Sequence, residues 1–153
     1  IAGDGPERAS LERQSAALGL SGAAAFCGHV PPSGLAGYYN ACDIFLNPTL
    51  RVEGHPLVAL EALACGKPVV TAAIGGTTST IVDGESGFFF QPGDIGAMTE
   101  KCLSLIGDRN LLAAMSASAR ALALSEFSVE KMVGEYLRIS EAVLAGRGAG
   151  RAA

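Results

Sequence analysis

The decisive stretch is residues 43–72, D-I-F-L-N-P-T-L-R-V-E-G-H-P-L-V-A-L-E-A-L-A-C-G-K-P-V-V-T-A. It contains two short apolar runs separated by a longer one. The runs at 43–47 and 68–72 are rich in β-branched and aromatic side chains, which predicts two strands. The run at 57–64 is followed by Gly66 and predicts a helix between them. Strands that are apolar on both faces and joined by a helix are typical of a parallel sheet covered by helices.

The alternation continues on both sides of this stretch. Proline and glycine positions, together with capping Asp and Ser residues, predict further elements. They are helices at 6–18, 35–42, 94–106 and 108–124, a helix from Ser128 onward, and strands at 23–27 and 87–90. The predicted fold class is therefore α/β, a parallel sheet with helices on both faces followed by C-terminal helices. Ligands of such sheets bind at the carboxyl ends of the strands.

Composition excludes several function classes. The chain has 153 residues and 11 Lys and Arg against 15 Asp and Glu, a net charge of −4. A nucleic-acid-binding domain usually has a basic excess. The hydrophobic fraction of 49% predicts a folded core. Trp is absent and aromatic residues make up 6%, which disfavours a stacking platform for single-stranded nucleic acid.

The four cysteines, Cys27, Cys42, Cys65 and Cys102, form no C-x-x-C pair, which disfavours a zinc or redox site. Each lies among apolar residues and is predicted to be a small buried hydrophobe. Reduced thiols indicate an intracellular, cytoplasmic protein. No apolar run approaches the length of a membrane-spanning helix and no signal peptide opens the chain, so no transmembrane segment is expected.

Two carboxylates flank a predicted helix start. Glu53 lies in the loop after a strand, and Glu61 lies in the second turn of the following helix. Pro56 fits the first helical position. The backbone amides of Leu57, Val58 and Ala59 would then lack intrahelical partners. Such free amides at a helix N-terminus favour binding of a phosphate group.

This pattern suits a nucleotide sugar, because sugar hydroxyls on both sides of its diphosphate can donate to carboxylates. The competing interpretation is that Glu53 is a loop charge and Glu61 a solvated helix residue. Glu61 interrupts the apolar run L-V-A-L-E-A-L-A, where a surface charge is not expected, and this favours a functional role.

The segment E-G-H-P-L-V-A-L-E-A-L-A-C-G-K-P-V-V at 53–70 strongly resembles the E-x7-E signature of group 1 (family 4) glycosyltransferases. Further segments fall in the order and spacing of that family. They are G-D-G-P-E at 3–7, F-C-G-H-V at 26–30, Y-Y-N-A-C-D-I-F-L-N-P at 38–48, G-G-T-T-S-T-I-V-D-G-E-S-G at 75–87 and F-S-V-E at 127–130. The family consists of retaining enzymes of the GT-B fold, with two Rossmann-like domains and the active site between them.

The resemblance implies that the chain is the C-terminal half of a GT-B fold. Residues 1–145 would form an N-terminally truncated, Rossmann-like domain that binds the nucleotide-sugar donor, and 146–153 a flexible Gly/Ala/Arg tail. An acceptor glycan, lipid or small molecule would be held by an absent N-terminal domain. The family's Arg and Lys that grip the diphosphate would also lie upstream of Ile1, so the isolated fragment is expected to be inactive.

The resemblance also implies roles for individual residues. Glu53 would be catalytic and contact the transferred sugar, and Glu61 would hold the ribose hydroxyls. The remaining donor-binding positions would be backbone at Gly54, His55, Leu57 and Val58, the loop at Val30 beside the base, and Gly75 and Gly76, where backbone approaches closely. No cofactor or metal is expected, since amides and basic side chains would neutralise the diphosphate. The sequence has no D-x-D pair, and its two histidines, His29 and His55, are far apart.

Some features depart from the family pattern, and rival functions stay open. Thr78 and Ser79 stand where the family often has Pro and Glu, and Pro56 replaces a common Gly. A dehydrogenase is disfavoured because Arg8 occupies the third position of G-x-G-x-x-G. A GT-B-fold nucleotide-sugar epimerase and a non-catalytic nucleotide-binding remnant are two further hypotheses.

Overall fold

A computed structural model describes residues 1–149. Backbone contacts divide the chain into two compact units, the first Ile1–Tyr38 and the second beginning at Tyr39. Within residues 1–149, no helix combines the length and the apolarity that crossing a bilayer requires.

The first unit contains helix α1, Arg8–Ala17, and the start of helix α2, Pro32–Ala41. The strand predicted at 23–27 is wrong. This segment makes only isolated bridges with the first residues of the chain, through the Cys27 N–H to the Ile1 carbonyl and the Gly3 N–H to the Gly28 carbonyl, both 2.8 Å. Its run of alanines has low strand propensity, and too few bonds form to build a ladder.

Arg8 holds the turn that precedes α1. Its guanidinium lies 3.0 Å from Asp4 and 2.9 Å from Glu12. The Gly5 N–H and then the Arg8 guanidinium lower the pKa of the Asp4 carboxyl. Gly28 has a φ of +67°, and a Cβ there would lie 2.9 Å from the guanidinium. Arg8, which occupies the position of the third dinucleotide-motif glycine, therefore serves as a structural contact.

The second unit contains a parallel sheet in the order β1-β2-β3. Its strands are β1, Phe45–Asn47, β2, Val69–Ala72, and β3, Gly87–Phe90. All four residues of β2 are buried, as expected for a central strand covered on both faces. A Cβ on Gly87 would lie 2.0 Å from the Val69 carbonyl oxygen, so only glycine allows this pairing.

Helices and one 3-10 helix complete this unit. They are α3, Leu57–Ala64, the 3-10 helix Gly75–Ser79, α4, Ile95–Gly107, α5, Arg109–Glu126, and α6, Val129–Ala149. Each predicted cap is confirmed. The Asp94 carboxylate accepts from the Ala97 N–H at 2.9 Å, Asp108 accepts at the start of α5, and Ser128 accepts at the start of α6.

The core lies between the sheet and helices α4 and α5. Its buried members are Val70, Ala72, Phe90, Leu105, Leu112 and Met115. This arrangement confirms the predicted fold class, a parallel sheet with helices and a helical C-terminal end. The prediction of buried cysteines is wrong for Cys27, which is exposed because its segment forms no buried strand, while the other three are half-buried.

Helix α6 continues to Ala149, so the first four residues of the tail predicted at 146–153 are helical. A helix that has already formed extends at low cost, since each added residue gains one hydrogen bond for its own ordering. Residues 150–153 lie outside the described residues. The helix has exposed apolar side chains at helical spacing, at Met132, Val133, Tyr136, Leu137, Val143 and Leu144.

Candidate functional site

The candidate site lies in the segment 48–56, which runs from the carboxyl end of β1 to the start of α3. This is the edge at which parallel sheets bind ligands. At the ends of the strands, the Asn47 amide donates to the Thr71 hydroxyl at 3.4 Å and the Thr71 hydroxyl to the Asn47 carbonyl at 3.3 Å. These bonds hold β1 and β2 together where the loop departs.

The start of α3 leaves two backbone donors available. Pro56 has a ψ of 106° and is the N-cap, one residue before the first helical position predicted for it. The Ala59 N–H donates to the Pro56 carbonyl at 3.1 Å, so the prediction of a free Ala59 amide is wrong, because the first turn tightens. Among the described residues, the amides of Leu57 and Val58 have no acceptor. They form an anion-favouring helix end.

Glu53 is held by its backbone. The Gly76 N–H donates to the Glu53 carbonyl oxygen at 2.7 Å. A Cβ on Gly76 would lie 1.6 Å from the Gly54 carbonyl oxygen, and one on Gly75 would lie 2.9 Å from the Glu53 carbonyl oxygen. The double glycine therefore permits the close backbone approach that the sequence predicts, and the backbone it approaches is that of the loop carrying Glu53.

Glu61 is exposed in the second turn of α3 and carries one side-chain hydrogen bond within residues 1–149. The donor is the hydroxyl of Tyr39, 2.8 Å from Oε2. Burial, followed by this bond to Glu61, raises the pKa of Tyr39 above its ordinary value. Tyr39 was not predicted as part of the site, since nothing in a tyrosine on a short apolar helix indicates a partner 22 residues away.

The surface around these groups is apolar and open. On α3, Leu57 and Val58 are 68% and 44% exposed, and Val52 in the preceding loop is 78% exposed. The apolar run that suggested a buried helix thus has one face toward solvent, and Glu61 lies on it. Contiguous exposed apolar side chains mark interaction or ligand surfaces, and Leu57 and Val58 are adjacent on this face.

The His55 ring contacts Phe127, which lies between α5 and α6. The two ring centroids lie 5.4 Å apart, at an interplanar angle of 52°. The contact gives the exposed imidazole a packing role beside the helix N-terminus. Phe127 was also missed as a neighbour of the site, although its segment F-S-V-E belongs to the resemblance.

Lys67 and Arg51, the basic side chains nearest in sequence, are not directed to the free amides by any contact among the described residues. The Lys67 ammonium donates to the Asn40 carbonyl at 3.2 Å, at the opposite end of α3. The Arg51 backbone N–H donates to the Thr49 hydroxyl at 3.1 Å. Lys67 therefore links the end of α3 to the backbone of α2.

The second unit has surface cavities away from this loop, two of which are described by their lining residues. The larger, about 450 Å³, is lined by Asn40, Ala64, Cys65, Gly66 and Arg120. The smaller, about 260 Å³, lies between the β2–β3 connection and α5. Neither of these two cavities is lined by Glu53, Glu61, Leu57 or Val58.

Val30 belongs to the first unit, where it is buried close to Gly34. The structure therefore brings together Glu53, Gly54, Gly75 and Gly76 by backbone contact, and Leu57, Val58 and Glu61 on one helix.

Comparison with known proteins identifies relatives of this chain. The family model described as "Glycosyl transferases group 1" matches residues 1–122. A curated relative, the "GDP-mannose-dependent alpha-(1-6)-phosphatidylinositol monomannoside mannosyltransferase" of Mycolicibacterium smegmatis, is 34% identical over 133 residues, which are 83% of this chain and 35% of the relative. The chain thus spans about a third of the length of the curated relatives it matches.

Solved structures share the fold. Anabaena Alr3699/HepE in complex with UDP aligns with a TM-score of 0.82 and 28% identity, over 94% of this chain and 40% of that one. The same protein has been solved with UDP-glucose. The C-terminal domain of a group 1 glycosyl transferase family protein, LpcC from Francisella tularensis, aligns with a TM-score of 0.73 and 26% identity, over 80% of this chain and 63% of that one.

Proposed function

This chain belongs to the group 1 glycosyl transferases, and from that premise we propose that it is the donor-binding part of an enzyme that transfers a hexose from a nucleotide sugar. Relatives are about three times as long as the matched segment, which supports a further domain outside this chain that holds the acceptor. The full-length enzyme comprises both parts. The acceptor would be a glycan, a lipid or a small molecule.

The observation that carries the proposal is the arrangement around the start of α3. The amides of Leu57 and Val58 have no acceptor within residues 1–149, and the side chains of these two residues are exposed. Glu53 lies in the preceding loop and Glu61 one turn further along the helix. The amides and the helix dipole would receive the diphosphate. Glu61 would accept hydrogen bonds from the ribose hydroxyls, and Glu53 would contact the transferred sugar.

Retention of configuration and independence from metal ions are part of the same proposal. The developing charge on the leaving diphosphate would be met by backbone amides of the helix end and by basic side chains of the full-length enzyme, which act as preorganised donors. The binding of UDP and UDP-glucose by the Anabaena protein supports a nucleotide sugar as the donor class.

Nucleotide binding by the 153-residue chain alone is expected to be weak. The family resemblance assigns two phosphate-gripping basic residues to sequence outside this chain, and hydrogen bonds to charged groups contribute roughly 1.5–3 kcal/mol each. Their absence weakens affinity by on the order of 100-fold or more. Calorimetric titration with UDP and GDP tests this, and submicromolar binding by the chain alone would show that the site is elsewhere.

Replacing Glu61 by Ala should weaken nucleotide affinity in the full-length enzyme by about tenfold or more, since hydrogen bonds to a charged acceptor are lost. The fold should persist because Glu61 is exposed. Calorimetry and a thermal melt measure both quantities. Glu100→Ala, a change at an exposed carboxylate on α4, is the matched control. An unchanged dissociation constant for Glu61→Ala would show that Glu61 is a solvated helix residue with no contact to the nucleotide.

A further inference from the structure

We propose that Tyr39 is a positioning residue that holds the Glu61 carboxylate in the orientation that selects the ribose of the nucleotide. The inference rests on the proposed function and deepens it. It starts from the hydrogen bond between the Tyr39 hydroxyl and Glu61 Oε2, which is 2.8 Å long and joins a buried donor to an exposed acceptor.

The donor side of this bond is fixed. Tyr39 is only 8% exposed, and its ring packs edge-on against Phe45 at the start of β1, with 5.6 Å between centroids and an interplanar angle of 65°. A ring held by the sheet has one direction for its hydroxyl. An exposed glutamate on a helix otherwise samples several rotamers, and ordering such a side chain costs conformational entropy.

The acceptor, the Glu61 carboxylate, uses only one of its two oxygens in this bond. Tyr39 occupies Oε2, and among the described residues Oε1 of Glu61 has no hydrogen-bond partner. A carboxylate can accept paired hydrogen bonds from adjacent hydroxyls when its plane is fixed. The hydroxyl of Tyr39 therefore orders the carboxylate before ligand arrives, so that the ribose does not have to supply the ordering entropy itself.

The test removes only the hydroxyl, through Tyr39→Phe in the full-length enzyme. The probes are UDP or GDP, whichever binds more tightly, and the matching 2′,3′-dideoxynucleoside diphosphate, which lacks both ribose hydroxyls. The ratio of the two dissociation constants measures ribose selection. For Tyr39→Phe this ratio should fall by about fivefold or more, the scale of one hydrogen bond to a charged group. Affinity for inorganic pyrophosphate should stay unchanged.

A merely structural role predicts a different pattern, in which both nucleotides lose affinity together and the ratio is kept. Tyr38→Phe is the matched control, because the neighbouring tyrosine is 47% exposed and undergoes the same chemical change. In the double variant with Glu61→Ala, Tyr39→Phe should have no further effect on the ratio, since the two side chains act as one unit.

The outcomes separate this inference from the proposed function. If Glu61→Ala abolishes ribose selection and Tyr39→Phe keeps it, the role of Tyr39 is overturned and the proposed site stands. If Glu61→Ala itself keeps ribose selection, the role of Tyr39 and the proposed ribose contact of Glu61 are both overturned. Should Tyr39→Phe fail to fold, Glu61→Asp is the substitute, because it changes an exposed residue and moves the carboxylate away from the Tyr39 hydroxyl. If Glu61→Asp keeps the wild-type ratio of the two dissociation constants, the inference is overturned.

Discussion

Gly76→Ala should reduce transfer by the full-length enzyme by on the order of 10²-fold and lower the free energy of unfolding by about 1–3 kcal/mol. The added Cβ would lie 1.6 Å from the Gly54 carbonyl oxygen and 2.3 Å from its carbon. Backbone atoms cannot turn aside as a flexible side chain does. The loop that carries Glu53 must therefore move, and its hydrogen bond to the Gly76 N–H must stretch.

The comparison variant is Gly107→Ala. Gly107 lies at the end of α4, where an added Cβ meets nothing within 4 Å. This change should leave transfer unaffected and stability equal or slightly higher, because alanine favours helix. Denaturant unfolding and steady-state transfer measure the two variants side by side. If Gly76→Ala had the turnover and the free energy of unfolding of the wild type, the position of the Glu53 loop would not depend on the double glycine.

The sequence predicted the elements whose ends are marked by local chemistry. Helix α3 and strand β3 begin and end where the apolar runs meet glycine or proline, and the caps at Asp94 and Asp108 are local side-chain bonds. The strand expected at 23–27 failed because an apolar run does not reveal how many neighbouring backbones it pairs with. Ladder formation depends on distant segments, and alanine gives it little support.

The site was predictable in part for the same reason. A proline before an apolar helix, with carboxylates on either side, is visible in the sequence, so the region around Glu53 and Glu61 could be singled out. The contacts that fix these residues are tertiary. Tyr39 reaches Glu61 from another helix, and Phe127 reaches His55 from beyond α5. No periodicity or spacing in the sequence encodes those pairs.

Turnover of the full-length enzyme should depend on Glu53 more strongly than donor binding does. Glu53 is exposed in the loop one residue before Gly54, and its carbonyl is tied to the double glycine. In the retaining transfer that we propose, the sugar would gain oxocarbenium character while the diphosphate gains negative charge. A carboxylate preorganised beside the sugar favours that charge distribution more in the transition state than in the bound donor.

Glu53→Gln keeps the size of the side chain and removes its charge. We therefore expect kcat to fall by on the order of 10²-fold or more, the usual scale for one preorganised electrostatic group. The KM for the donor should change by less than about tenfold, because interactions made only in the transition state are expressed in kcat. Steady-state transfer with saturating acceptor measures both constants.

The same chemical change at an exposed position away from the site, Glu100→Gln on α4, should leave both constants at their natural values. The two kinetic constants then distinguish two roles for Glu53. A Glu53→Gln enzyme that keeps kcat and raises only KM would identify Glu53 as a group that positions the donor in its ground state. A large loss of kcat at nearly constant KM would place its carboxylate beside the reacting sugar. An electrostatic interaction that is made only in the transition state lowers kcat when it is lost and leaves KM nearly unchanged.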